Sequence, residues 1–323
     1  MIFYFFSMTG LCFLLCATTN AEPFSVRNFH PLQQIHGLPD GGYEVRTREP
    51  GNYYAGVVIH YSNYFTTDAA SNEKVLLDGE SQHTILHLQC GLTERLQWGL
   101  SIPYIVHRGG TLDGFINDWH RWFGLSTGGR NKVSKDMYQV VYERNGDLLI
   151  NNRQQTQGLG DIRLQAAWQW LDDVLIHASL KLPTGNEDAL LGSGSADVST
   201  WVSGCYRGTC FERALITHAR IGSIYMRPGP ILPKYQRDFA GFAGISSSFA
   251  YNKTFALVAQ VDAHTALYRD SALVQTGSYS AALSFGGSFR LDGDWRLNVG
   301  LTEDLHVNAS PDIGFHLEVS TLF

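Results

Sequence analysis

Charge is scarce in this sequence. Asp, Glu, Lys and Arg make up 17% of its 323 residues, against roughly 25% in ordinary soluble domains. With 24 basic and 30 acidic residues the net charge is −6, which gives no reason to expect a nucleic-acid partner. Long apolar runs are missing too. Beyond residue 21 no stretch approaches the roughly 18 apolar residues of a membrane-spanning helix. Cysteine is limited to five, and no spacing among them reads as a zinc site. His83 and His87 share one face of a strand but stand about 13 Å apart, too far for joint ligation. No metal and no cofactor is expected.

What is present begins with an apolar leader. Residues 1–21 have an apolar core from Ile2 to Cys16 and end Thr19-Asn20-Ala21, the pattern of a secretory signal peptide cleaved before Glu22. No Lys or Arg precedes that core. Leu15 is too large for a lipidation box at Cys16. Export would put Cys205 and Cys210 of CYRGTC in an oxidising compartment, where a disulfide across a hairpin at Tyr206–Thr209 is expected. Cys90 reads as a small apolar residue.

The rest of the chain alternates. In DIRLQAAWQWL, Ile162, Leu164, Ala166, Trp168 and Trp170 oppose Arg163, Gln165, Ala167 and Gln169. Period two marks a strand between two different environments, and the pattern repeats to Phe323. Twelve strands are expected, at about 53–65, 82–91, 95–106, 159–171, 173–183, 196–205, 210–224, 238–250, 254–267, 278–290, 295–303 and 312–323. Tight turns alternate with long connections, including Thr66–Ser81 and Arg108–Gly158. An even strand number with short turns at one end and long loops at the other is the layout of an all-β antiparallel transmembrane barrel. Strands near ten residues exceed the five or six usual in soluble sheets. Aromatic residues at strand ends, among them Trp98, Trp168, Trp170, Phe239, Tyr251, Trp295 and the terminal Phe323, suit interfacial girdles.

The opposite face is polar. His83, His87, Arg163, His177, Lys181, Arg220, Asp262, His264, Arg290, Arg296, His316 and Glu318 are expected in the lumen. They either fill it as a hydrogen-bonded network or line a path through it. A barrel of this size lies between the filled eight-stranded and the open sixteen-stranded types.

Two segments do not alternate. Residues 22–52 form a periplasmic N-terminal segment, either a tether or a hatch folded into the lumen. Arg27, His30, Leu32, Ile35 and Leu38 are too apolar and mixed for a solvated tail. The second is the long loop 108–158, far beyond ordinary loop length. Within it LDGFINDWHRWFG has an N-cap at Asp113 and a C-cap at Gly124, so a short helix is expected, capping the mouth. Trp119, His120, Arg121, Trp122 and Phe123 are the candidate gate or ligand-gripping residues. The loop also holds Asp118, Ser126 and Ser134, but no G-x-S-x-G spacing supports catalysis, so no catalytic residue is assigned.

RNFHPLQQIHGLP, LDGFINDWHRWFGLSTGGRNKV, GLGDIRLQAAWQWL, LKLPTG and LGSGSADVSTWVSG resemble a family of Gram-negative outer-membrane proteins, domain of unknown function 3187, over Glu22 to Phe323. The glycine-rich motifs more distantly resemble outer-membrane barrels of the phenol-degradation meta-pathway type, described as channels for hydrophobic molecules. The resemblance implies an outer-membrane location and carries no catalytic residues. The expectation is a passive channel or binding barrel for small, hydrophobic or aromatic solutes, gated by the 108–158 loop. The alternatives are a closed barrel acting as a surface scaffold, and a lipid hydrolase centred on His120. Expected partners are outer-membrane lipid, lipopolysaccharide, a small solute, and the barrel-assembly machinery through Phe323.

Overall fold

The structure is a computed structural model, which describes residues 21–110 and 137–323. The strands are β1 (Tyr53–Ala70), β2 (Glu73–Thr93), β3 (Leu96–Arg108), β4 (Gln139–Arg144), β5 (Asp147–Asn152), β6 (Thr156–Leu159), β7 (Arg163–Leu171) and β8 (Val174–Lys181). They continue as β9 (Asp197–Cys210), β10 (Arg213–Met226), β11 (Phe239–Ala250), β12 (Phe255–His264), β13 (Ser280–Arg290), β14 (Trp295–Asp304) and β15 (Ile313–Leu322). One helical turn, α1 (Val274–Gly277), sits between β12 and β13. Each strand pairs antiparallel with its neighbour, and β15 closes on β1 from Tyr54↔Leu322 to Asn63↔Ile313. The ring is a closed twelve-stranded barrel, in which β6 and β7 are two pieces of one interrupted strand against β3. Closure leaves the ring itself without a free end, which a sheet in hydrocarbon requires, while β5, outside the ring, pairs with β4 alone among the described strands.

The alternation decides the faces. On β7 the side chains of Leu164, Trp168 and Trp170 are exposed on the outside, while Arg163 and Ala167 are buried inside. Trp98, Tyr104, Phe239, Tyr251, Trp295 and Phe323 are likewise exposed outward. Apolar side chains turned out and charges turned in is stable only when the outer medium is lipid.

The interruption has a local cause. Ser101 pairs with Arg163, whereas Tyr104 pairs with Leu159, so one extra residue is inserted at Gly160–Ile162, as in a β-bulge. Pro103 opposite has no N–H to continue the ladder, and its carbonyl accepts from Gly160 at 2.9 Å. The bulge turns Asp161 into the interior.

Three expectations are corrected. Residues 66–81 are not a long loop. The alternation of Val75 and Leu77 continues β1 and β2 upward to a two-residue turn, Ser71–Asn72, with Ser71 at φ 52°. The loop 108–158 is not only a cap. It carries the β4–β5 hairpin, which pairs with β2 from Glu73↔Arg144 to Asp78↔Gln139 because Val140, Tyr142 and Ile150 pack inward. The helix expected at Asp113–Gly124 lies outside the described residues. Finally, Cys205 and Cys210 do not bridge. Both lie on β9, five residues and roughly 17 Å apart on opposite faces, beyond the ~7 Å that a disulfide spans. The chain reverses later, at Phe211 and Glu212, both with positive φ (49° and 61°), and Gly208 and Thr209 still pair with Leu215 and Ala214.

Candidate functional site: the filled lumen

Ala21 to Glu49 forms no strand: Pro23, Pro31 and Pro39 remove donors and turns follow one another. Its hydrogen bonds go to the barrel's inward side chains all round the ring. Phe24 N donates to Gln260 on β12 at 2.9 Å, and Asn28 donates to Ser280 on β13 at 3.0 Å. Gly37 N donates to Asp197 on β9 at 2.8 Å. Thr47 N donates to Gln169 on β7 at 2.8 Å, and Arg48 N to Gln97 on β3 at 2.9 Å. Partners so distributed place the segment inside the barrel. Arg27, His30, Leu32, Ile35 and Leu38 are all buried there. Gly42 sits at φ +80°, where an added Cβ would collide with Trp201, whose indole N–H donates to Gly42 O at 2.8 Å. At Gly91 the segment's exit crosses the wall so closely that a Cβ would lie 2.3 Å from Glu49 O.

Three ion-pair groups fix the segment. Arg163 reaches Asp40 at 3.0 Å, both fully buried. Burial pushes the Asp40 carboxyl up, but the Arg163 guanidinium outweighs it and holds the acid down at about 2. Lys181 donates to Asp161 at 2.6 Å, to Ser193 at 2.5 Å and to Ser195 O at 2.9 Å, with Asp197 at 3.4 Å. That cluster joins the bulge, the β8–β9 loop and, through Asp197, the enclosed segment. Arg220 pairs with Asp262 at 2.7 Å, and Tyr43 donates to the same oxygen at 2.5 Å. A lysine or arginine buried at this depth is stable only with such partners. Burial also pushes His30 and His36 down to about 3, so both imidazoles are neutral near pH 7.

The two ends differ. At the long-loop end lies an apolar cluster that includes Leu32, Tyr142, Met226, Leu232, Tyr268 and Leu273. Tyr268 OH donates to Leu32 O at 2.7 Å and meets His36 at 3.0 Å. Glu73 accepts from Tyr142 at 2.9 Å and Ser271 at 2.6 Å, tying three loops together. At the opposite end a cavity of about 230 Å³ is lined by Glu22, Glu44, Arg48, Gln89, His218 and Glu318, among others.

Among the expected lumen residues, His83, His87, Arg163, His177, Lys181, Arg220, His264, His316 and Glu318 are buried inside. Asp262 is half-buried on Arg220, and Arg296 is half-buried, 3.1 Å from Glu22. Arg290 keeps the inward parity but is exposed at the rim. The structure does not gather these into one constellation, and among the described residues no group of three or more His, Cys, Asp or Glu could hold a metal. Trp119, His120, Arg121, Trp122 and Phe123 lie outside the described residues, as do Asp118, Ser126 and Ser134. Sequence reasoning missed Asp161, Asp197, Asp40, Phe29 and His60. His60 was accessible to the same parity argument, since Val58, His60 and Ser62 share the inward face of β1.

A family model described as a protein of unknown function, DUF3187, matches residues 2–323. No curated protein matches the sequence. Among solved structures, the COG4313 outer membrane channel from Pseudomonas putida F1 is similar, with 16% identity over 89% of this chain and 100% of that one, at a TM-score of 0.56. The Ralstonia pickettii toluene transporter TbuX has 10% identity over 85% and 90% of the two chains, at a TM-score of 0.39. The Pseudomonas putida toluene transporter TodX has 9% identity over 94% and 98%, at 0.38. The first of these likenesses extends the outer-membrane barrel fold to this chain.

Proposed function

For a chain that belongs to the DUF3187 family, we propose a passive conduit for small hydrophobic solutes across the bacterial outer membrane, closed in this structure by its own N-terminal segment. The observation that carries this reading is how the lumen is filled. A twelve-stranded ring is too wide to be filled by wall side chains alone, and here a tethered stretch of chain, residues 21–49, fills it. A filling that is not part of the wall can leave while the wall stays closed. The apolar mouth favours hydrophobic solutes, because a polar molecule would lose its hydration there without gaining partners. The similar Pseudomonas putida structure is described as an outer membrane channel, and the proposal carries that role over.

The long loop is the second gate of this proposal, with Trp119, Trp122 and Phe123 as its gripping residues. Cleavage before Glu22 belongs to the same reading, and it would leave the new terminus beside Arg296 in the open cavity. Phe323, exposed and stacked on Tyr53 at 5.9 Å, is the surface offered to assembly machinery, and lipid and lipopolysaccharide would contact the outward residues. No reaction is proposed. Single-channel recording in planar bilayers tests the conduit. Wild type should give small, infrequent steps, and deleting residues 22–48 should enlarge them several-fold. Absence of steps in both forms sinks the conduit and leaves the closed scaffold.

A further inference from the structure

Phe29 is fully buried, and what it lies on belongs to the wall. His60 of β1 and His83 of β2 are directly opposed in the ladder, as are Val58 and Ile85 two positions along. The four side chains therefore form a square patch on the inner surface, with opposed Cβ atoms about 5 Å apart. The Phe29 ring stacks on His60 at 4.0 Å and 25°, and leans on His83 at 4.6 Å and 47°, while Val58 and Ile85 complete the contact. The patch is the size of one six-membered ring. It sits on the longest hairpin among the described strands, and the enclosed segment also reaches it through Gln34, whose Oε1 lies 2.6 Å from His83 Nε2. Both imidazoles are buried, and the Nδ1 atom of each has no hydrogen-bond partner among the described residues. A buried polar atom without a partner is costly, and Phe29 has nothing to offer it.

We propose that this patch is a binding site for an aromatic ring carrying a small hydrogen-bonding substituent, a simple phenol, and that Phe29 occupies it as an internal substitute for that ligand. The inference rests on the conduit reading and names its solute class. The apolar pair accepts the ring's carbon edge, and the imidazole faces select a flat ring over an aliphatic chain. The free Nδ1 atoms supply what a hydroxyl can pair with and a methyl cannot. When the segment withdraws, the wall keeps a ring-sized vacancy at the level it has left. A phenol in the lumen and Phe29 thus compete for one place.

The test is ligand-observed fluorine NMR on the full chain in amphipol, with 4-fluorophenol and 4-fluorotoluene as probes. Wild type, whose site is filled, provides the partitioning baseline. Phe29→Ala should bind 4-fluorophenol at least tenfold more tightly than wild type, and more tightly than 4-fluorotoluene. Adding His60→Leu and His83→Leu should abolish that preference while 4-fluorotoluene still binds. Equal or stronger binding of 4-fluorotoluene to Phe29→Ala would mean a plain cavity, and binding of neither probe would mean no site; either result overturns the proposal. Heat-modifiable gel migration reports whether each variant is folded. Phe29→Leu, a smaller change, replaces Phe29→Ala if that barrel fails to form. Phenol binding without bilayer conductance would retain the site and refute the conduit, and conductance without binding would do the reverse.

Discussion

At the long-loop end Tyr142, Leu232, Tyr268 and Leu273 meet in a buried apolar cluster, whereas at the other end Glu44, Arg48, Gln89 and His218 surround open space. Between them the same segment is held by two kinds of force. Near the mouth, Leu32 and Ile35 are held by apolar contact, which is non-directional and tolerates sliding. Deeper in, Gly37 and Asp40 are held by buried ion pairs and charge-assisted hydrogen bonds, which fix one register and fail when one partner is lost. The difference assigns roles: the charged layer sets where the segment sits, and the apolar layer sets how readily the mouth parts.

The largest expected effect tests the charged layer. Lys181→Met leaves Asp161 and Asp197 side by side without their cation and should cost about 3–5 kcal/mol, read as a drop in the denaturant midpoint of heat-modifiable migration. A loss under 1 kcal/mol would mean that the apolar layer alone holds the segment. Acidification comes next. His30 and His36 are held by burial at about 3, below the usual 6.5, so the enclosed state is favoured above pH 6.5 and loses stability as pH falls from there toward 3. Each imidazole costs up to about 1.4 kcal/mol per pH unit in that window. Proteolysis between residues 22 and 49 should therefore quicken from pH 7 to pH 5.5, and an unchanged rate would show that both rings are already hydrated. The smallest effect belongs to the mouth. Tyr268→Phe strips a donor from Leu32 O and a partner from His36, for about 1–2 kcal/mol. It should lengthen open events in bilayers without moving the denaturant midpoint as far as Lys181→Met does.

The barrel was legible because period two is a local signal. Leu164 and Arg163 declare their faces from adjacent positions, and the inward parity found the buried Arg163, Lys181, Arg220 and Glu318 but not Glu73, Asp78, Glu80 or Asp197. The enclosed segment was less legible, because turns and prolines erase periodicity and leave composition as the only clue. Partners were not legible at all. Arg163 and Asp40 are 123 residues apart, and only ring closure brings them together. Asp161 opens the alternating run DIRLQAAWQWL, and nothing in that run announces its pairing with Lys181. The Cys205–Cys210 error came from reading Gly208 as a turn, when the reversal was made by Phe211 and Glu212, whose left-handed backbone no residue preference announces. Phe29 escaped notice because an aromatic residue in an irregular segment looks like filler until its neighbours on β1 and β2 are known.

The seam between β1 and β15 has a consequence for how the molecule is made. Tyr53 and Phe323 exchange hydrogen bonds of 2.7 and 3.0 Å, so β15 joins the strand that directly follows residues 21–49. Those residues leave the ribosome before any wall exists, yet they end up enclosed by all of it. The circle must therefore close around material already in place, or admit it afterwards through the end that carries the seam. In the first order of events the segment acts as a mandrel on which Asp161, Arg163, Lys181 and Asp197 find their positions.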